Sequence, residues 1–170
     1  MELTVNAPYV LPKDAGVIDV WWPFNPAPVV GRLSTKVTGE QTQGRLFQMH
    51  VTDGRGAAPP LHIHHDADET FYVIEGEMTI FVGDERIEAG TGDFVFGPRG
   101  VPHAYLVQSE QAEFLVSFAP AGIEDFFAEI APQVVPGEPK PDPVAPNPEE
   151  FARIAGQYAI EIVGPPPSLD

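Results

Sequence analysis

Apolar and polar residues alternate in short runs along the first two thirds of the chain, and Gly, Pro or Asp interrupts each run. Period-two alternation of this kind predicts strands with one face turned to a core. The runs are GVIDVWWPF at 16–24, VVGRLSTKVTG at 29–39, GRLFQMHVTDG at 44–54, ETFYVIEG at 69–76, MTIFV at 78–82, FVFGP at 94–98 and EFLVSFAP at 113–120. In the third, Leu46, Gln48 and His50 fall on one face and Phe47, Met49 and Val51 on the other. FNPAP, EQTQG and the Gly83-Asp84 pair read as turns between runs. The pattern changes after Ala121. GIEDFFAEIA has a helical stripe of Ile123, Phe126, Phe127 and Ile130. A Pro-rich stretch at 132–148 predicts an extended wrap over the surface. A second short helix, EEFARIAGQYAI at 149–160, follows, with Asn147 as its N-cap and Pro148 in its first turn.

These elements predict an all-β fold, a double-sheet jelly-roll barrel carrying two short C-terminal helices. We expect one domain over residues 1–170: an N-terminal arm at 1–16, the barrel at 17–120, and flanking helices with the Pro-rich wrap at 121–170. A chain of 170 residues that is 43% hydrophobic can build such a core.

The net charge of −16 would repel nucleic acid and anionic membranes, so neither is expected as a partner. The chain has no cysteine, which rules out disulfides, thiolate ligands and a cysteine nucleophile. The first residues lack a basic start followed by an unbroken apolar stretch, and no run approaches a transmembrane length. A cytoplasmic location is the expectation.

The chemistry concentrates at 56–76 and 92–107. His62 and His64 are two residues apart, so in a strand both imidazoles project to one face. Glu69 opens the next strand, and His103 follows a Gly/Pro turn. Three imidazoles and a carboxylate suit one divalent transition metal, Ni, Mn, Co, Fe or Cu, rather than the all-oxygen shells that Mg and Ca prefer. Two further histidines read differently. His65 points away from His64, towards the surface, and His50 reads as a structural or pocket-wall residue.

The spacing carries a resemblance. Gly56, five residues, His62-x-His64, four residues, Glu69, six residues and Gly76 form the first motif of the cupin superfamily. Gly92, five residues, Pro98-x-Gly100, two residues and His103 form the second. Its last position, usually Asn, is Val107, and that Asn is not a metal ligand. The chain thus resembles a cupin, and more closely a small cupin of the bacterial quercetinase type, the flavonol 2,4-dioxygenases. The finer likeness rests on HIHHDADETFYVIEGE, GDFVFGPRGVPHAY, the FFAE helix and the IAGQYAIEIVGPPP tail, covering roughly residues 17–165.

The resemblance implies His62, His64, Glu69 and His103 as metal ligands. It also implies Glu69 as the base that takes the 3-hydroxyl proton of a flavonol such as quercetin before O2 cleaves the ring and CO leaves. Burial in an apolar barrel would raise the proton affinity of Glu69, and the cation would oppose this. From the alternation, Phe71, Val73, Tyr105, Val107, Phe114, Val116 and Phe118 are the expected pocket wall. The substrate would be a small, flat, hydrophobic or aromatic molecule. Cupins commonly pair through sheet edges and arms, so a homodimer using the arm and the Trp21-Trp22 strand is expected. Trp21 and Trp22 otherwise read as packing or as a stacking surface. The rival readings are another metal-dependent cupin oxygenase, isomerase or decarboxylase, and a non-catalytic metal- or small-molecule-binding cupin.

Overall fold

In a computed structural model the described residues run from 7 to 169, so the first six residues of the expected arm lie outside them. The strands in chain order are β1 (Ile18–Trp22), β2 (Gly31–Val37), β3 (Phe47–Gly54), β4 (Leu61–His64), β5 (Asp68–Glu75) and β6 (Glu77–Val82). β7 (Glu85–Gly90), β8 (Phe94–Gly97), β9 (His103–Val107), β10 (Gln111–Ala119) and β11 (Ile160–Gly164) follow. Three helices punctuate them: α1 (Gly39–Thr42), α2 (Glu124–Ile130) and α3 (Pro148–Gly156).

The strands form two antiparallel sheets. One has the order β1-β2-β3-β10-β5-β8 and the other β11-β4-β9-β6-β7. Alternation dictates what fills the space between them. β3 turns Phe47, Met49 and Val51 inward, β10 turns Phe114, Val116 and Phe118 inward, and all six are buried. Each such aromatic or branched side chain contributes about 1.5–3 kcal/mol on burial.

Two segments differ from the sequence expectation. EQTQG is a single helical turn, α1, because Thr38 and Gln41 close a reciprocal cap: Thr38 Oγ1 accepts from the Gln41 N–H, and Gln41 Oε1 accepts from the Thr38 N–H. The second difference matters more for function. The last predicted helix stops at Gly156, and Ile160–Gly164 is a strand. Ala159, at φ 56°, turns the chain out of the helix, and the β-branched IEIV alternation then pairs along β4.

Residues 7–16 lie across the outer face of the first sheet. The Tyr9 hydroxyl donates to Lys36 O at 2.5 Å, Lys36 Nζ donates to the carbonyls of Lys13 and Ala15, and Lys13 pairs with Glu113 at 2.8 Å. His50 is buried on that outer face, 3.3 Å from Glu113 Oε2, and burial lowers its proton affinity. It is a structural histidine of the sheet's outer side.

Candidate metal centre

Register brings the four expected ligands to one point. β4 carries His62 and His64 on the same face, and β9 sets His103 directly opposite His62. Glu69 enters from the other sheet, on β5 between Gly97 of β8 and Phe118 of β10. Three imidazoles on one sheet therefore face one carboxylate on the other. One ligand atom from each residue can be chosen so that all four lie within 4.8 Å of one another.

Hydrogen bonds orient the rings. His62 Nδ1 lies 2.7 Å from Pro60 O, and His103 Nδ1 lies 2.9 Å from Val101 O. With Nδ1 as the donor, each ring directs Nε2 to the centre, the arrangement in which outer carbonyls orient metal-binding imidazoles. His62 Nε2 and His64 Nε2 approach to 3.2 Å, and Glu69 Oε2 is 3.2 Å from His64 Nε2 and 2.6 Å from His103 Nε2. Two imidazole nitrogens at 3.2 Å can share a proton in a hydrogen bond, and the same separation suits two ligands of one cation. Ligand atoms about 2.1 Å from one ion lie about 3 Å apart when at right angles. The donor set and its spacing fit a divalent transition metal, and these side chains could hold one.

The charges interlock. Burial lowers the His62 pKa to about 3, helped by His103 and His64. For Glu69, burial acts to raise the pKa, but hydrogen bonds from His103 and His64 outweigh it and hold the carboxyl well below its usual range. His103 is lowered by burial and raised more by Glu69, so it ends above the usual histidine value. Burial alone therefore gives the wrong sign for Glu69; its neighbours decide it.

The four side chains sit at the base of a narrow cavity of about 80 Å³, room for a few waters. Of the expected wall residues, Phe71, Tyr105, Val116 and Phe118 line it. Val73, Val107 and Phe114 do not. They keep the inward parity but lie further along their strands, in the filled part of the barrel, where each is fully buried. Other wall residues went unrecognised in the sequence. Leu33, Met49 and Val51 share the inward parity of their strands, a signal that was available. Trp22, Phe126, Phe127 and Phe151 form an aromatic cluster in the cavity wall, with Trp22 5.6 Å from Phe127 and 6.4 Å from Phe151. Trp22 is thus cavity wall rather than a surface contact, and α2 and α3 bring the phenylalanines over it. His65 points outward to Glu161 at 2.8 Å, with both groups exposed.

Behind the wall is a buried carboxyl. Asp53, 1% exposed, accepts from Asn25 Nδ2 and from the Tyr105 hydroxyl, each at 2.8 Å. Burial pushes its pKa up to about 7 against the pull of both donors. Gly31 makes room for it: a Cβ there would overlap Asp53 Oδ1 and lie 2.9 Å from Cγ.

Residues 49–118, the span that holds all four of these side chains, match the Cupin domain family. They form a cupin domain. The sequence is 33% identical over 92 residues to quercetin 2,3-dioxygenase of Bacillus subtilis, covering 54% of this chain and 27% of that protein. It is 38% identical over 56 residues to an uncharacterized Streptomyces coelicolor protein, covering 33% of this chain and 53% of that one. The aligned stretches span about a quarter and about half of these two curated relatives. Among solved structures, a predicted oxalate decarboxylase from Thermotoga maritima superposes with a TM-score of 0.51 at 18% identity. That match covers 54% of this chain and 81% of that one, and is a likeness of fold. No helix among the described residues of the cupin is long and apolar enough to cross a membrane.

Proposed function

We propose that this cupin is a metal-dependent dioxygenase that cleaves a flat, hydroxylated aromatic molecule, a flavonol such as quercetin, with O2 and releases CO. The observation that carries the reading is a buried three-histidine, one-glutamate cluster opening into a cavity walled by aromatic and aliphatic side chains. The partial likeness to a quercetin dioxygenase supports it.

His62, His64, Glu69 and His103 would hold one divalent Ni, Mn, Co, Fe or Cu ion. When bound, the ion supplies a Lewis-acid site that favours a deprotonated substrate oxygen. The chain's own residues do the rest. Phe71, Val116 and Phe118 confine a planar ring, and the aromatic cluster in the wall excludes water beside it. Glu69 accepts the 3-hydroxyl proton. Its depressed proton affinity comes from imidazole N–H donors, and an imidazole whose Nε2 lone pair is turned to a cation no longer donates to it. Burial then favours the protonated carboxyl, and the charge of the ion opposes it.

The wall argues against a small carboxylic acid as substrate. Among the described residues none lining the cavity is Lys or Arg, and Arg99, inside the second motif, is exposed and paired with Asp68 at 2.9 Å. A homodimer belongs to the same reading, supported by exposed Tyr72, Phe94 and Phe96 on β5 and the edge strand β8; light scattering tests it.

The test of the activity is O2 uptake with quercetin and simpler flavonols, after separate loading with each metal and measurement of metal content. Uptake that follows one metal and releases CO is the expected result. No uptake by fully loaded protein refutes the flavonol reading and directs screening to other cupin reactions or to non-catalytic binding.

A further inference from the structure

A second, larger space adjoins the metal cavity. It is a groove of about 710 Å³ between the 24–27 turn, the Pro-rich strap at 143–148 and the C-terminal segment at 162–166. Pro60, Phe151 and Ile162 line both spaces, so they form the partition between them. The strap is fastened, since the Val144 N–H donates to Pro23 O at 2.9 Å, and Asn147 caps α3 just beyond it. Pro60 also accepts from His62 Nδ1, so the groove wall is one hydrogen bond from a metal-site imidazole.

Size decides how the two spaces divide a ligand. Small-molecule pockets occupy about 300–1,000 Å³. The inner cavity, at about 80 Å³, holds a head group but no multi-ring body, whereas the groove at about 710 Å³ is within that range. Charge decides the chemistry. Among the described residues the groove wall is proline, glycine, aliphatic and aromatic, with Asn25 its one polar side chain and no charged one. In a chain of net charge −16 this is a neutral, apolar surface leading to the metal site.

We propose that the groove is a substrate subsite that takes the uncharged, apolar body of an extended ligand whose oxygen-bearing head enters the metal cavity past Phe151 and Ile162. The inference rests on the dioxygenase reading and deepens it. Ring substituents far from the reacting oxygen are selected by the Pro-rich strap, a segment outside the family-matched residues 49–118.

Anaerobic binding titrations of the metal-loaded full chain test it. The probes are 3-hydroxyflavone and its single-ring head, 3-hydroxy-4-pyranone. Val144→Arg and Ala145→Trp change exposed strap positions that line the groove and touch neither the metal residues nor their hydrogen-bond partners. The expected result in both is 3-hydroxyflavone affinity lowered by about tenfold or more, with pyranone affinity within about twofold of the parent and metal content unchanged. Two variants guard against one failing to fold. Retained 3-hydroxyflavone affinity, or equal losses for both ligands, overturns the subsite. If the parent still consumes 3-hydroxyflavone with O2, only the subsite has failed. If the loaded parent binds neither probe, the dioxygenase reading fails and the subsite with it.

Discussion

Replacing Gly31 by Ala would strike the carboxyl behind the cavity wall. Gly31 is buried on β2, and an added Cβ would overlap Asp53 Oδ1, with Asp53 Cγ at 2.9 Å and Asn25 Nδ2 at 3.3 Å. Asp53 is not a loose end that can swing away. Asn25 and Tyr105 hold its two oxygens at 2.8 Å, and the group is buried. Relief therefore requires losing at least one of these hydrogen bonds, and a buried polar group left without its partner costs about 1–3 kcal/mol. Adding the displacement of a packed strand, the expected destabilisation is about 3 kcal/mol, or roughly 6–12 °C in Tm for a chain of this size. Urea unfolding of the metal-free protein measures it. The cycle with Asp53→Ala isolates the cause, since removing the carboxyl removes the collision and should make Gly31→Ala cheaper by about 2 kcal/mol. A Gly31→Ala change within about 0.5 kcal/mol of the parent would refute the reasoning, as would a cost unchanged in the Asp53→Ala background.

Asp53 also gives a pH signature. Its folded pKa of about 7 lies above the unfolded value, so the folded form holds a proton that the unfolded chain has released. This contribution is complete below about pH 4, is lost as pH rises towards 7, and is flat above; relative to Asp53→Asn, the parent should lose stability, at most on the order of 4 kcal/mol, across that window in urea titrations. At the metal centre, Glu69→Gln should lower turnover by about 100-fold or more while lowering metal content far less, measured as O2 uptake per bound metal; near-normal turnover in the metal-replete variant would remove the base role. Burial lowers the proton affinity of His103 and Glu69 raises it by more, so metal binding should displace a proton from that ring and metal affinity should fall as pH drops. Calorimetry in buffers of different ionisation enthalpy counts that proton. Ala159→Gly should stabilise by about 0.5–1 kcal/mol, because φ 56° costs a side chain more than glycine's added chain entropy; a lower Tm would contradict that account of the turn into β11.

The barrel strands and the clustering of His62, His64, Glu69 and His103 were legible because they depend on local parity. His62 and His64 share a face whatever surrounds them, and Phe71 and Val116 follow from the same count. Parity does not say how far along the barrel the open space extends, so Val73, Val107 and Phe114 were placed at the wall when they fill the core. Nor does it say which distant residues complete the wall. Phe126 and Phe151 belong to short helices whose docking depends on contacts with Trp22, more than a hundred residues away in sequence. The sign of the Glu69 shift likewise needed distances to His64 and His103 that no spacing supplies. The IEIV alternation of β11 is present in the sequence, but the helical pattern expected at 149–160 runs into its first residue, Ile160. Ala159, a residue with high helix propensity held in a left-handed conformation, gave no warning of the break.

β4 is held by two neighbours of unequal strength. It meets β9 at one residue pair, His62 opposite His103, and meets β11 along its whole length. The strand that carries two of the four clustered side chains thus depends mainly on a partner synthesised nearly a hundred residues later. While the chain is being made, the earlier strands can pair and bury their inner faces, but β4 has only one bridge to secure it. The orientation of both imidazoles would be completed only when residues 160–164 dock. An unfinished chain would then offer a weaker trap for whichever transition metal it met first, and selection of the metal would fall to the finished protein.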